Sequence, residues 1–133
     1  MERRLDLPIS KLMARTPHTL STEELVAKVA ADMDRFRVYA LPIVNRDNTV
    51  FGIITATDLS QFRAAKKNPK AVRAWELCTY RPLCVSPDIP ALRVAKLMIS
   101  KHIHHVLVTE GNVLRGIVST FDFVEAYVKS RRD

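Results

Sequence analysis

Four apolar positions at helical spacing occur twice along this chain. Val26, Val29, Ala30 and Met33 fall at i, i+3, i+4 and i+7, and Ala91, Val94, Ala95 and Met98 repeat the spacing. Each stretch therefore predicts an amphipathic helix whose stripe faces a core. Ser21 with Glu24, and Ser86 ahead of Pro87 and Asp88, read as the N-terminal signals of these helices. After each helix the period changes. Residues 39–44 and 50–54 are apolar, partly β-branched runs around the polar Asn45-Arg-Asp-Asn48, and residues 105–108 and 113–118 flank Glu110-Gly-Asn112. Both pairs predict hairpins. A second helix is expected after each hairpin, at about 56–66 and 120–130. Thr19-Leu20 and Cys84-Val85 predict an extra edge strand, and a short helical turn is expected in front of each set, at about 9–13 and 72–78.

The whole pattern is a repeat. An offset of 65 aligns Leu12 with Leu77, Pro17 with Pro82, Ser21 with Ser86 and Met33 with Met98. After a one-residue deletion near 46–50 an offset of 64 aligns Gly52-Ile53 with Gly116-Ile117 and Asp58 with Asp122. Order and spacing are kept, as in an ancestral duplication. Each copy runs strand, helix, strand, strand, helix, which makes the fold class α+β: two β-α-β-β-α repeats. Neither copy hides both faces of its own sheet, so the repeats are expected to pack on each other about a pseudo-twofold axis. The expected boundaries are 8–66 for the first repeat, 67–70 for a basic linker and 71–130 for the second, together one module.

Composition narrows the class. At 133 residues, 47% hydrophobic and 26% charged, the chain has ordinary globular make-up rather than that of a disordered segment. No apolar run approaches the roughly 18 residues of a membrane span, and the first residues lack the apolar core of a secretory signal. A cytoplasmic protein without membrane contact is the expectation. The net charge of +7 favours anionic partners, and Arg63, Lys66, Lys67, Lys70 and Arg73 follow one another with no acidic residue among them. Cys78 and Cys84 have apolar neighbours and read as small buried hydrophobes.

Candidate chemistry gathers where the second strand of each hairpin meets the next helix. Thr55-Ala-Thr-Asp58 and Ser119-Thr-Phe-Asp122 have the spacing of a capping box. The same geometry suits a nucleotide, because a helix N-terminus offers N–H groups to phosphate and a carboxylate accepts two hydrogen bonds from a ribose diol. Lys101-His-Ile-His-His105 enters the second hairpin, and strand alternation puts His102 and His104 on one side with His105 on the other. An imidazole, neutral or protonated, can donate to phosphate. Metal binding by His102 and His104 lacks a third ligand at a recognisable spacing, so no metal site is expected. The first repeat has Val38-Tyr39-Ala40 instead, so the two copies are not chemically equivalent. Ser119, Cys84, His104 and Asp122 are nucleophile types, yet no nucleophile elbow or Walker A loop accompanies them, and no catalytic residue is assigned. The chain is not expected to be an enzyme.

With a hairpin carrying Leu41-Pro42-Ile43-Val44, a closing Gly52-Ile-Ile-Thr-x-x-Asp58-Leu and a second Gly116-Ile-Val-Ser-x-x-Asp122, the sequence resembles the CBS domain family as a tandem pair, a Bateman module. The resemblance covers about 8–130. It implies a freestanding regulatory module that binds adenosine-containing ligands (AMP, ADP, ATP, NAD or S-adenosylmethionine) in clefts between the repeats, requires no cofactor, forms a homodimer and signals to an unidentified effector protein. The positions it implies for ligand contact are Thr55, Thr57 and Asp58, and Ser119 and Asp122 in the second copy. His104 and His105 stand at the phosphate end, and Thr19, Tyr39, Cys84 and Ile103, with Thr16 and Val38, on the adenine side. Phe121, in front of Asp122, either narrows the second cleft or stacks on a base. The alternative reading is a nucleic-acid-binding protein using the basic 63–73 segment with Lys129, Arg131 and Arg132; no recognised nucleic-acid motif accompanies it.

Overall fold

Each amphipathic stripe forms a helix with its apolar face buried, in a computed structural model that describes residues 5–15 and 17–131. Thr16 and Arg132 lie outside the described residues. The chain divides into two compact units, a first spanning residues 17–82 and a second made of residues 83–131 with 5–15.

The first unit runs β1 (Leu20–Ser21), α1 (Val26–Phe36), β2 (Ala40–Val44), β3 (Val50–Thr55), α2 (Ala56–Ala64), α3 (Ala74–Leu77) and β4 (Thr79–Tyr80). Its sheet has the order β1-β2-β3-β4, with β1 parallel to β2 and the other pairs antiparallel. Val26, Val29 and Met33 meet Leu41, Ile43, Ile54, Leu59, Phe62 and Ala74 in one core. The second unit has β5 (Cys84–Val85), α4 (Ala91–Lys101), β6 (His105–Glu110), β7 (Val113–Ser119) and α5 (Thr120–Ser130), with strand order β5-β6-β7. Ala91, Val94 and Met98 pack there with Val85, Val106, Val108 and Val118.

The helical turns in front of the repeats do not pack with the repeats they precede. The 3-10 turn Ile9–Lys11 lies in the second unit, where Ile9 is fully buried in the core of α4 and β6. The segment carrying α3 and β4 lies in the first. Sequence repeat and compact unit are thus different partitions of the chain.

This exchange explains how the first helices begin. Ser21 and Ser86 do not cap them: the Ser21 hydroxyl accepts from the Glu23 N–H at 3.0 Å and that of Ser86 from the Asp88 N–H at 3.4 Å, closing turns upstream. The residues at the N-cap are Leu25 and Pro90, without a side-chain cap. Orphan N–H groups find carbonyls of the exchanged segments instead, Val26 N to Val72 O at 2.9 Å and Ala27 N to Pro69 O at 3.0 Å in the first unit, and Ala91 N to Leu7 O at 2.8 Å in the second.

The predicted hairpins are present, and the one-residue offset change falls at their tips. Strand β2 reaches β3 through residues 45–49, whereas β6 reaches β7 through Gly111-Asn112, both at positive φ as a two-residue hairpin turn requires. Helix α2 ends at Ala64 rather than 66, where Lys66 takes a left-handed φ of 57°. No helix among the described residues is long and apolar enough to cross a membrane.

Candidate functional site

The repeated phrase is a helix cap in both units, with different hydroxyl bonding. The Thr55 N–H donates to Asp58 Oδ2 at 2.8 Å, and the Asp58 N–H returns to the Thr55 hydroxyl at 3.3 Å. In the second unit the Ser119 N–H donates to Asp122 Oδ2 at 2.7 Å, and the Ser119 hydroxyl turns onto the same oxygen at 3.3 Å. The hydrogen bonds each carboxylate accepts here fall on Oδ2. One oxygen of each carboxylate does the capping. Burial, opposed by the two Ser119 hydrogen bonds and aided by Glu125, holds the Asp122 carboxyl above the usual aspartate range.

Strand register brings the hairpin entrances to these caps. Ala40 pairs with Thr55 and His105 with Ser119. One residue earlier, the Tyr39 carbonyl accepts the Ala56 N–H at 2.8 Å and the His104 carbonyl accepts that of Thr120 at 3.0 Å. Tyr39 therefore joins Thr55, Thr57 and Asp58 at the start of α2, and His104 and His105 join Ser119 and Asp122 at the start of α5. His105 is largely buried; desolvation first, and the neighbouring His104 second, hold its imidazole below the usual histidine range. At neutral pH it is uncharged.

His102 is not a strand neighbour of His104. It ends α4 in the left-handed conformation, φ 53°, with its N–H on the carbonyls of Met98 and Ile99. Arg37 does the same for α1, φ 55°. Alternation cannot extend back to 102 because the strand begins at His105. Among the described residues no group of three or more His, Cys, Asp or Glu is placed to hold a metal ion.

The remaining predicted positions are further off. Thr19 precedes β1 and Cys84 lies on β5, and in each sheet the central strand separates that edge from the strand carrying the cap. Ile103 is half-buried against the core of the second unit, as Val38 is against that of the first. Phe121 is 68% exposed. The basic residues 63–73 are exposed; Arg73 is tied down, its guanidinium donating to the Glu23 carbonyl at 2.8 Å.

The repeated phrase also contains a role that sequence reasoning did not assign. Gly52 and Gly116 sit where the exchanged segments cross the sheet. A Cβ on Gly52 would lie 2.6 Å from the Thr79 carbonyl oxygen and 2.7 Å from Cys78 Sγ; one on Gly116 would lie 2.5 Å from Met13 Sδ and 2.7 Å from the Ala14 oxygen. Both glycines are there for close approach. Cys78 thereby comes within the field of the first site: burial, then the Asp58 carboxylate, pushes its thiol up. The only sequence signal was the alignment of 12–17 with 77–82, which shows that these segments are equivalent but not what they cover. Neither cysteine is disulfide-bonded.

Two βαββα units, each with a capping box where its hairpin meets the next helix, define a tandem-repeat α+β fold. The chain belongs to the CBS domain family, which it matches over residues 9–65 and again over 74–129. Protein YlbB of Bacillus subtilis is 30% identical over 115 residues, which span 86% of this chain and 78% of that protein. The inosine-5'-monophosphate dehydrogenase of Halobacterium salinarum is 33% identical over 108 residues, 80% of this chain but 21% of the enzyme. The crystal structure of CBSX2 in complex with AMP superposes with a TM-score of 0.83 at 20% identity, covering 95% of this chain and 99% of that one.

Proposed function

We propose that this protein is a ligand-sensing regulatory module that binds adenosine-containing nucleotides at the N-termini of α2 and α5, assembles with a second copy, and passes a ligand-dependent change of conformation to an effector protein. The observation that carries the reading is the use of Oδ2 by both capping boxes: each aspartate closes its helix with one oxygen and offers the other to a ribose diol, beside helix N–H groups suited to phosphate. A family neighbour of the same fold holds AMP, which makes AMP the first ligand to test. Chemistry is not part of the proposal, since the likeness to the dehydrogenase is confined to 21% of that enzyme. A ligand can drive such a change only through different affinities for two conformations.

The two sites are expected to differ. The second unit presents His104 and a neutral His105 beside Asp122, whereas the first presents Tyr39 and Ala40 beside Asp58. Calorimetric titration of AMP, ATP, NAD and S-adenosylmethionine into wild type, Asp58→Ala and Asp122→Ala at one salt concentration tests this. Saturable binding lost with one aspartate and retained with the other identifies the working site. Heatless titrations throughout, with both variants only less stable, would reduce the repeated phrase to a helix cap. A steep loss of nucleic-acid binding with rising salt would instead support the basic segment as the functional surface.

A further inference from the structure

The first unit carries a groove that its capping box does not use. Ala30, Met33, Asp34 and Arg37 at the end of α1, and Ala56, Leu59, Ser60 and Arg63 of α2, line one open depression of about 370 Å³, with Val38 and Tyr39 where the chain leaves α1. Each set stands at i, i+3, i+4 and i+7, so each helix gives the groove one stripe. Met33 and Leu59 are buried and make an apolar floor, while Asp34, Arg37, Tyr39, Ser60 and Arg63 are exposed around it. Asp58 stands about 150° round α2 from the middle of that stripe. The groove therefore lies on another side of the helix from the capping carboxylate.

The polar rim is chemically unfinished. Among the described residues, the side chains of Asp34, Arg37, Tyr39, Ser60 and Arg63 make no hydrogen bond or ion pair with one another or with any neighbour. Asp34 and Arg37 are three apart, a spacing at which opposite charges on a helix pair. Arg37, however, leaves the helix at φ 55° and gives the Asp34 carbonyl only its backbone N–H, at 3.4 Å. Arg63 opens the acid-free run that continues with Lys66, Lys67, Lys70 and Arg73, so the field at that end of the groove is positive. The offsets of the duplication put Ile99, His102, Val124 and Tyr127 at the places of Asp34, Arg37, Ser60 and Arg63. The second unit builds the same two helices without either guanidinium, so the fold does not require them.

We propose that this groove is a further ligand site, one per chain, for a compact molecule bearing two phosphate or carboxylate groups, one held by Arg37 and the other by Arg63. The inference goes beyond the nucleotide reading and does not rest on it. Because the Tyr39 carbonyl accepts the Ala56 N–H, Arg37 is fixed near the start of α2. Arg63 comes seven residues after Ala56, about 10 Å along the helix axis. Each guanidinium presents a planar fork that matches one carboxylate or phosphate, so two forks at the two ends of a groove select a ligand with two anionic ends over a single phosphate. The hydroxyls of Ser60 and Tyr39 add donors along the rim. Asp34, which as a carboxylate only accepts, suits a hydroxyl of the ligand.

The test is a heteronuclear NMR titration of the full chain with pyrophosphate and, separately, with citrate, at fixed pH and ionic strength, repeated in excess AMP. Saturable shifts are expected at the amides of Asp34, Arg37, Ser60 and Arg63, with a Kd below about 1 mM for at least one probe. The tighter of the two assigns the ends as phosphate or carboxylate, and inorganic phosphate is expected to bind about tenfold more weakly. Arg37→Gln and Arg63→Gln should each weaken binding about tenfold or more. Arg35→Gln removes the same charge from α1 outside the stripe and should leave binding within about twofold; amide spectra unchanged away from each substitution show that the variants are folded. Failure of both probes to saturate overturns the site, as does inorganic phosphate binding as tightly as the better probe. So does an equal loss with Arg35→Gln, which would make the attraction diffuse, or displacement by AMP, which would put the anion in the nucleotide site. Binding that persists while AMP itself binds nowhere supports this site and removes the nucleotide reading alone.

Discussion

Helices α2 and α5 occupy equivalent places in the two units and differ in the chemistry of the side each leaves exposed. Helix α2 turns Leu59 and Phe62 into the core and leaves Thr57, Ser60, Gln61 and Arg63 in solvent. Helix α5 packs Phe123 against its core and has Ala126 where α2 has Phe62, while Phe121, Val124, Tyr127 and Val128 are exposed. The first helices differ as well. Asp32 of α1 is buried and paired with Lys28 at 3.2 Å, and the same position in α4 is Leu97. The duplicated fold thus keeps Val29 and Met33 as Val94 and Met98 in its packed cores, while other buried positions, Asp32 and Phe62 among them, diverge along with the exposed faces.

Exchanges between the repeats sharpen this contrast. The largest effect is expected from Phe62→Ala, which gives α2 the residue found in α5. With Phe62 buried among Leu59 and the first core, the truncation should cost about 3–5 kcal/mol in urea unfolding, whereas Val124→Ser on the outward side of α5 should change the stability of the isolated chain little. Equal losses would show that Val124 packs inward in solution.

Gly52→Ala is next. Its Cβ would meet a backbone oxygen that cannot step aside cheaply, and overpacking of this kind costs about 1–3 kcal/mol. Gly116→Ala should behave alike if the exchanged segments cross both sheets; a neutral result at one glycine in the same unfolding assay would mean that its crossing segment is loosely held.

Asp32→Leu copies Leu97 into the first unit. Replacing a buried, paired carboxylate by a packed hydrophobe is often neutral or stabilising, here by about 1 kcal/mol, while Lys28→Ala, which strands the carboxylate, should destabilise. Thermal melts of the two variants should move in opposite directions. If both fall, Asp32 makes a contribution that Leu97 cannot replace.

The smallest effect concerns pH. His105 has its folded pKa lowered below 6.5, chiefly by burial, so the unfolded chain binds its proton more readily. Its contribution is full at pH values above the unfolded pKa and is lost as pH falls through 6.5 towards the lower folded value. Stability should therefore fall over that window. His105→Ala, the residue at Ala40 in the first repeat, should flatten the slope; an unchanged slope would assign the titration to another group.

Much of this was legible in the chain. The 3.6-residue stripes fixed α1 and α4, the alternation of apolar runs and turns fixed the two hairpins, and the [Ser/Thr]-x-x-Asp spacing placed both caps, since each signal is local and repeats with the period of the element it builds. The helix starts were misplaced at Ser21 and Ser86 because their N–H partners are carbonyls of Leu7, Pro69 and Val72, distant in sequence. Strand β4 was missed because two exposed residues, Thr79 and Tyr80, have no period. His102 was assigned to a strand because sequence does not display the left-handed turn that ends α4.

What the sequence determined by itself, then, was the duplication, the order of the main helices and hairpins and the identity of the capping aspartates, all properties of short-range spacing. Only the tertiary structure decided that the helical turns are exchanged between the units, that Gly52 and Gly116 serve close approach, and that the apolar stripe of α5 faces outward. Each depends on which distant segment fills the space beside a residue, and that is settled by packing rather than by any local pattern.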